Sequence, residues 1–169
     1  MKLSNSFTLA EMLKSNTANR RGIEEQYTPS KEIIDNLTRL CKKVLQPIRD
    51  SLELPVRVTS GYRCKELNKA IGGSSKSQHV KGEAVDIELW IRGEEKNAIL
   101  LDEIINLSFR NELEFDQLII EYPVNDVPKW IHISYSDENR NEILIAEKVN
   151  GKTVYKLSLI HISEPTRPY

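Results

Sequence analysis

The sequence predicts an α+β domain, a small antiparallel sheet with helices packed against it. Two observations lead there. In the first half, Ile33, Ile34, Leu37, Leu40, Cys41, Val44, Leu45 and Ile48 recur at three- and four-residue spacing, the period of a helix with one buried face. In the second half, FDQLIIE (115–121) and WIHISY (130–135) are β-rich runs that alternate between two faces. Helices mostly early and strands mostly late suit a sheet covered on one face.

The elements follow in order. Thr8 with Glu11 three residues on reads as a capping box, starting a short helix to Ser15, with Phe7 as its staple. Asn16 to Tyr27 reads as a polar loop. The long amphipathic helix comes next, with Pro29 near its start and Pro47 expected to end or kink it. PVRVT (55–59) is a short strand. Lys65 to Ile71 is a short helix closed by Gly72. Ser74 to Lys81 is a polar loop and Ala84 to Leu89 a strand. Asn97 to Leu107 has helical spacing. In FDQLIIE, Gln117, Ile119 and Glu121 share one face, with Leu118 and Ile120 on the other. In WIHISY, Trp130, His132 and Ser134 share a face, and Ile131, Ile133 and Tyr135 take the opposite one. Asn150-Gly151 between 142–148 and 152–156 is a hairpin signal.

Length fits one domain, 1–156. The stretch 157–169 (LSLIHISEPTRPY) matches nothing in this pattern and reads as a non-native tail, so His161 is set aside. Net charge is −1 with both signs intermixed, which argues against nucleic acid or a membrane surface as partner. No apolar run approaches the roughly 18 residues of a membrane span. MKLSNSFTLAEMLK lacks the apolar core of a signal peptide. The expectation is a monomer, cytoplasmic until released by another route such as host lysis. Cys41 falls on the helical apolar stripe, and two separated cysteines predict neither a disulfide nor a thiolate metal site.

The chemistry concentrates in SGYRCKELNKAIGGSSKSQHVKGEAVDIEL, from Ser60 to Leu89. Ser77, His79, Gly82 and Asp86 stand in the spacing S-x-H-x-x-G-x-x-x-D. Histidine and aspartate both ligate zinc, and a catalytic zinc takes three protein ligands and leaves one position for water. His132 in WIHISY can supply the third ligand. Taken alone, a histidine beside a strand is more often structural.

Together, SGYR (60–63), the SxHxxGxxxD set and WIHIS (130–134) resemble the zinc D-alanyl-D-alanine peptidases of the M15 family, in its short phage and bacterial branch. The resemblance runs from about Phe7 to Ser136. It implies the small sheet-and-helix fold shared with the hedgehog signalling domain. It also implies Zn²⁺ held by His79, Asp86 and His132, and peptidoglycan stem peptides as substrate. Arg63 would hold the substrate carboxylate or the developing oxyanion. Ser77 would bind substrate or orient its loop, and Trp130 would line the cleft. One departure stands out. Several members carry an acidic residue three positions before the last histidine, where this chain has Lys129. Glu121, at the end of the preceding strand, is the expected general base, with Asp126 in the loop as runner-up. The expected activity is hydrolysis of a D-Ala-D-Ala or related bond by a carboxypeptidase or phage-type endolysin. The rival is a non-catalytic zinc-containing binding module of the same fold.

Overall fold

The structure, a computed structural model, describes residues 1–158. Of the expected tail, Leu157 closes the last strand and Ser158 N–H donates to Ile143 C=O at 2.9 Å. The strand register therefore draws these two residues into the domain, and 159–169 lie outside the described residues.

Helices α1 (Leu9–Leu13), α2 (Asn16–Arg21), α3 (Lys31–Leu40) and α4 (Gln46–Leu52) precede the first strand, β1 (Val56–Ser60). Then come α5 (Lys65–Ala70), β2 (Ala84–Ile91), the two-residue β3 (Glu94–Glu95) and α6 (Asn97–Phe109). Four strands follow: β4 (Gln117–Glu121), β5 (Trp130–Ser134), β6 (Glu142–Val149) and β7 (Lys152–Leu157). The sheet runs β1-β2-β5-β4-β6-β7, with β3 paired to the end of β2. It is antiparallel except for β4 and β6, which pair in parallel. The chain between them, through β5, returns to the same end of the sheet before β6 begins.

One face of the sheet is apolar. Val85, Ile87, Leu89, Leu118, Ile120, Ile131, Ile133 and Ile143 form one buried cluster with Leu37, Leu40, Ile48, Leu100 and Ile104 of the helices. Burying each such side chain contributes about 1.5–3 kcal/mol. This face alone can hold the layers together, so the other face is free to carry polar groups. The alternation expected for β4 and β5 is the one observed.

Three local expectations change. The stretch expected as a polar loop holds α2 and a 3₁₀ turn, Glu24–Tyr27. Ser15 caps α2 through its side chain and Gly22 ends it, but only Ala18 is buried, so no apolar period marks it. The amphipathic helix neither stops nor breaks at Pro47. A π-helical turn, Cys41–Leu45, absorbs one extra residue, and Gln46 N–H donates back to Cys41 C=O. Pro47 then falls in the first turn of α4, directly after the π turn that carries the helix into it. Third, His79 lies in a 3₁₀ turn, Gln78–Lys81, closed by Gly82 at φ +70. A Cβ at Gly82 would stand 2.9 Å from Ile33 C=O, so α3 packs directly over this turn.

Candidate active site

β2 and β5 pair so that Asp86 stands directly opposite His132. The next position along that row is Ile119 on β4. The adjacent row is Trp130, Glu121, Ala146 and Tyr155, one from each of β5, β4, β6 and β7. Period-two alternation puts both rows on the same sheet face, away from the core. A cleft of about 1220 Å³ opens there, and Asp86, His132, Ile119, Trp130, Glu121 and Tyr155 line it.

The 3₁₀ turn brings His79 down onto the Asp86–His132 pair. Asp86 Oδ1 lies 3.0 Å from His132 Nδ1 and 3.2 Å from His79 Nε2. The two histidine nitrogens are 3.2 Å apart. His79 Nδ1 is 2.7 Å from the Gly61 carbonyl oxygen, which can only accept, so the proton sits on Nδ1. Neutral His79 therefore turns the lone pair of Nε2 toward a carboxylate oxygen and a second imidazole. A cation resolves that convergence of acceptors. Ligands about 2.0–2.1 Å from a tetrahedral zinc stand about 3.3 Å from one another, close to the three separations seen. The donor set, two imidazoles and a carboxylate, fits zinc and leaves a position open.

Electrostatics agree with this geometry. Burial pushes the His79 pKa down, favouring the neutral ligand form. Burial pushes Asp86 up, but His79 and His132 outweigh it and hold the carboxyl well below the usual carboxylate range. Arg63 adds support. Its Nε donates to Ser60 Oγ at 2.9 Å and Nη2 to Asp86 Oδ2 at 2.7 Å. The second aspartate oxygen is thus taken, leaving Oδ1 to the cluster. Arg63 Nη1 makes no protein hydrogen bond among the described residues, and Arg63 lines the cleft.

Glu121 is 8% exposed. Burial pushes its carboxyl up to about 7; the His132 ring opposes that, the Asp86 charge adds to it and Arg63 opposes it. A cation at the histidine cluster would pull it down toward the ionised form. Lys129, three positions before His132, donates its backbone N–H to Glu121 C=O at 2.9 Å and so helps close the β4–β5 hairpin. Asp126 sits in the turn bridged by Val124 and Val127 at φ +65 and does not line the cleft. The structure therefore does not bring the runner-up base to the site. Ser77 lines the cleft, and its hydroxyl makes no hydrogen bond among the described residues. Cys41 and Cys64 are buried free thiols away from the cluster; burial pushes Cys41 up to about 12.

Several cleft residues were not read from the sequence. Asp116 is 2% exposed and accepts from Arg140 Nε at 2.7 Å and from Gln78 Nε2 at 2.7 Å. It ties the residue before His79 to the start of β4. Lys148, Thr153 and Tyr155 reach the cleft from the β6–β7 hairpin. The face count that placed Glu121 would have found them had it been carried across the Asn150-Gly151 turn.

No curated protein matches the chain. A family model described as peptidase M15 matches residues 5–117, more than half of the 169, and ends short of Glu121 and His132.

Proposed function

The chain belongs to the peptidase M15 family and is a peptidase, and from that premise we propose that it is a zinc-dependent hydrolase of bacterial cell-wall stem peptides. The bond cut would be D-Ala-D-Ala or a related one. The observation that carries the zinc dependence is the convergence of His79, Asp86 and His132 at 3.0–3.2 Å beneath an open cleft. The wall-peptide substrate rests on the resemblance of the SGYR, SxHxxGxxxD and WIHIS segments.

Zinc bound there would supply Lewis acidity, making a water nucleophilic near neutral pH and polarising the scissile carbonyl. Glu121, in the row beside His132, takes the proton from the attacking water as it adds to the carbonyl carbon. The same carboxyl then gives that proton to the leaving amine as the C–N bond breaks. Arg63 Nη1 donates toward the carbonyl oxygen as it gains charge. Arg63 also holds Asp86 through Oδ2, so its two tasks use different nitrogens. Ser77 and Trp130 line the cleft and position the peptide.

A second reading, a zinc-containing module that binds and does not cut, is favoured by Lys129 standing where relatives carry an acid. Incubation of the protein with muropeptides, with and without chelator, and mass identification of the products separates the two. Chelator-sensitive loss of a terminal residue or cross-link is the expected result. Stoichiometric zinc with every muropeptide intact would leave the binding module.

A further inference from the structure

Beside Trp130, the hairpin end of the cleft holds Tyr122, Lys148 and Thr153, which the reaction above does not use. Tyr122 follows Glu121 directly and has φ +46, a left-handed conformation that bulky side chains rarely adopt. Strain of this kind persists where surrounding contacts over-determine it, and it gathers at ligand sites. Here the contacts are explicit. Tyr122 N–H donates to Ala146 C=O at 2.9 Å. The Tyr122 hydroxyl and Thr153 Oγ1 are 2.8 Å apart. The Tyr122 ring tilts against Trp130, with centroids 5.3 Å apart. Lys148 Nζ lies 5.5 Å from the Tyr122 ring centroid and donates to Thr153 Oγ1 at 3.0 Å.

Lys148 is the unusual member. Its two neighbours, a ring face and a hydroxyl, are both neutral. Two other cations that line the cleft are paired, Arg63 with Asp86 and Arg140 with Asp116. On the opposite face of the hairpin, Glu147 pairs with Lys156. An ammonium over an aromatic floor, with no carboxylate partner among the described residues, is arranged to receive one.

Resting on the peptidase reading, we propose that Tyr122, Trp130, Thr153 and Lys148 form a subsite for a carboxylate group of the peptide substrate. Lys148 binds the carboxylate, and the two rings support the adjoining backbone. Tyr122 is the next residue after the base, so the carboxylate belongs to a residue within about one or two positions of the cut bond. It is either the chain's own C-terminus or an acidic side chain.

The test uses the full, zinc-loaded chain with Trp90→Phe, which leaves Trp130 as the fluorescent reporter in the subsite. The probes are N-acetyl-D-Ala-D-Ala, its C-terminal amide, and an amidated peptide carrying one glutamate side chain. The free acid should bind about 10- to 100-fold tighter than the amide, the range of a charge-assisted hydrogen bond. Lys148→Met should abolish that preference by raising the Kd or KM for the acid, and Lys148→Arg should restore it. Tight binding of the glutamate amide marks a side-chain carboxylate, and weak binding marks the terminus. Equal affinity of wild type for acid and amide, or a preference that survives Lys148→Met, overturns the subsite. Failure of the peptidase reading looks different: Lys148-dependent binding of the acid with no probe cleaved.

Discussion

Arg63 Nη2 donates to Asp86 Oδ2 at 2.7 Å, while Oδ1 of the same carboxylate faces His132 and His79 at 3.0 and 3.2 Å. The carboxylate is divided between a fixed cation and the cluster. Arg63 thereby positions the Asp86 carboxylate in the cluster, a role the SGYR motif alone does not announce.

Arg63→Met should therefore weaken zinc binding before any substrate is present. Loss of a partner that orients a ligating carboxylate typically costs about 10–100-fold in metal affinity. Both side chains are mostly buried, so the unpaired carboxylate should also lower stability by about 3 kcal/mol in the metal-free protein. Arg63→Lys should recover only part of the affinity, because one ammonium cannot span Ser60 and Asp86 as the guanidinium fork does. Competition with a chelator of known affinity reads the result, and unchanged zinc affinity in Arg63→Met would refute the role.

The ligands themselves give a sharper outcome. His79→Ala should lose stoichiometric zinc, since His79 is held by the Gly61 carbonyl and no other residue joins the cluster among the described residues. Metal analysis after dialysis checks it. Full zinc retention would mean that the cluster is not the site.

Glu121→Gln should keep both fold and zinc and lose about 10²–10⁴ in cleavage rate. The amide is isosteric and can still occupy the slot opposite Trp130, but it cannot take a proton. Asp126→Asn, outside the cleft, is the control and should cleave like wild type. If Glu121→Gln remains fully active, another group moves the proton.

Acid stability should depend on Asp116. Its hydrogen bonds from Arg140 hold the carboxyl at about 2, against an ordinary value near 3.8. The folded protein thus binds this proton more weakly than the unfolded chain. The stabilisation is complete above about pH 4 and disappears as pH falls toward 2, and its size is about 2 kcal/mol. Asp116→Asn should flatten that part of the stability curve. Urea midpoints between pH 5 and pH 2 would show it, and an unchanged slope would mean that Arg140 does not hold the group in solution.

Period-two alternation was sufficient to place Glu121 and His132 on one face and Leu118 and Ile133 on the other, because burial of one sheet face enforces it. The convergence of His79 on Asp86 was legible only as a motif, since nothing local in QHVKG states that the turn folds under α3. α2 was illegible because caps at Ser15 and Gly22 define it without an apolar stripe. The π turn was hidden for a related reason: apolar spacing runs unbroken through Cys41, Val44 and Ile48 whether or not one residue is looped out. The parallel β4–β6 pairing depends on chain direction after β5, which short-range signals do not carry. The hairpin wall was in reach of face counting, but its relevance depended on that pairing, which sets Ala146 beside Glu121.

Gly61 links α1 to the cluster of His79, Asp86 and His132, and a single methyl tests that link. A Cβ at Gly61 would press on the Met12 backbone, meeting its carbonyl oxygen and lying 2.9 Å from its Cα. Met12 is fully buried, and its carbonyl accepts from Tyr62 N–H at 2.9 Å, so this backbone cannot yield alone. The displaced segment carries the Gly61 carbonyl that fixes the tautomer and angle of His79. Gly61→Ala should cost about 1–3 kcal/mol by overpacking, a fall in Tm of several degrees for a chain of this size. It should also weaken zinc binding, because His79 loses its orienting acceptor. Gly93→Ala is the comparison: no heavy atom lies within 4 Å of its added Cβ, and its φ of +83 confines the penalty to the β2–β3 turn. That variant should lose some stability and bind zinc like wild type. A Gly61→Ala protein with wild-type zinc affinity would show that His79 is held by the 3₁₀ turn alone, without the acceptor from Gly61.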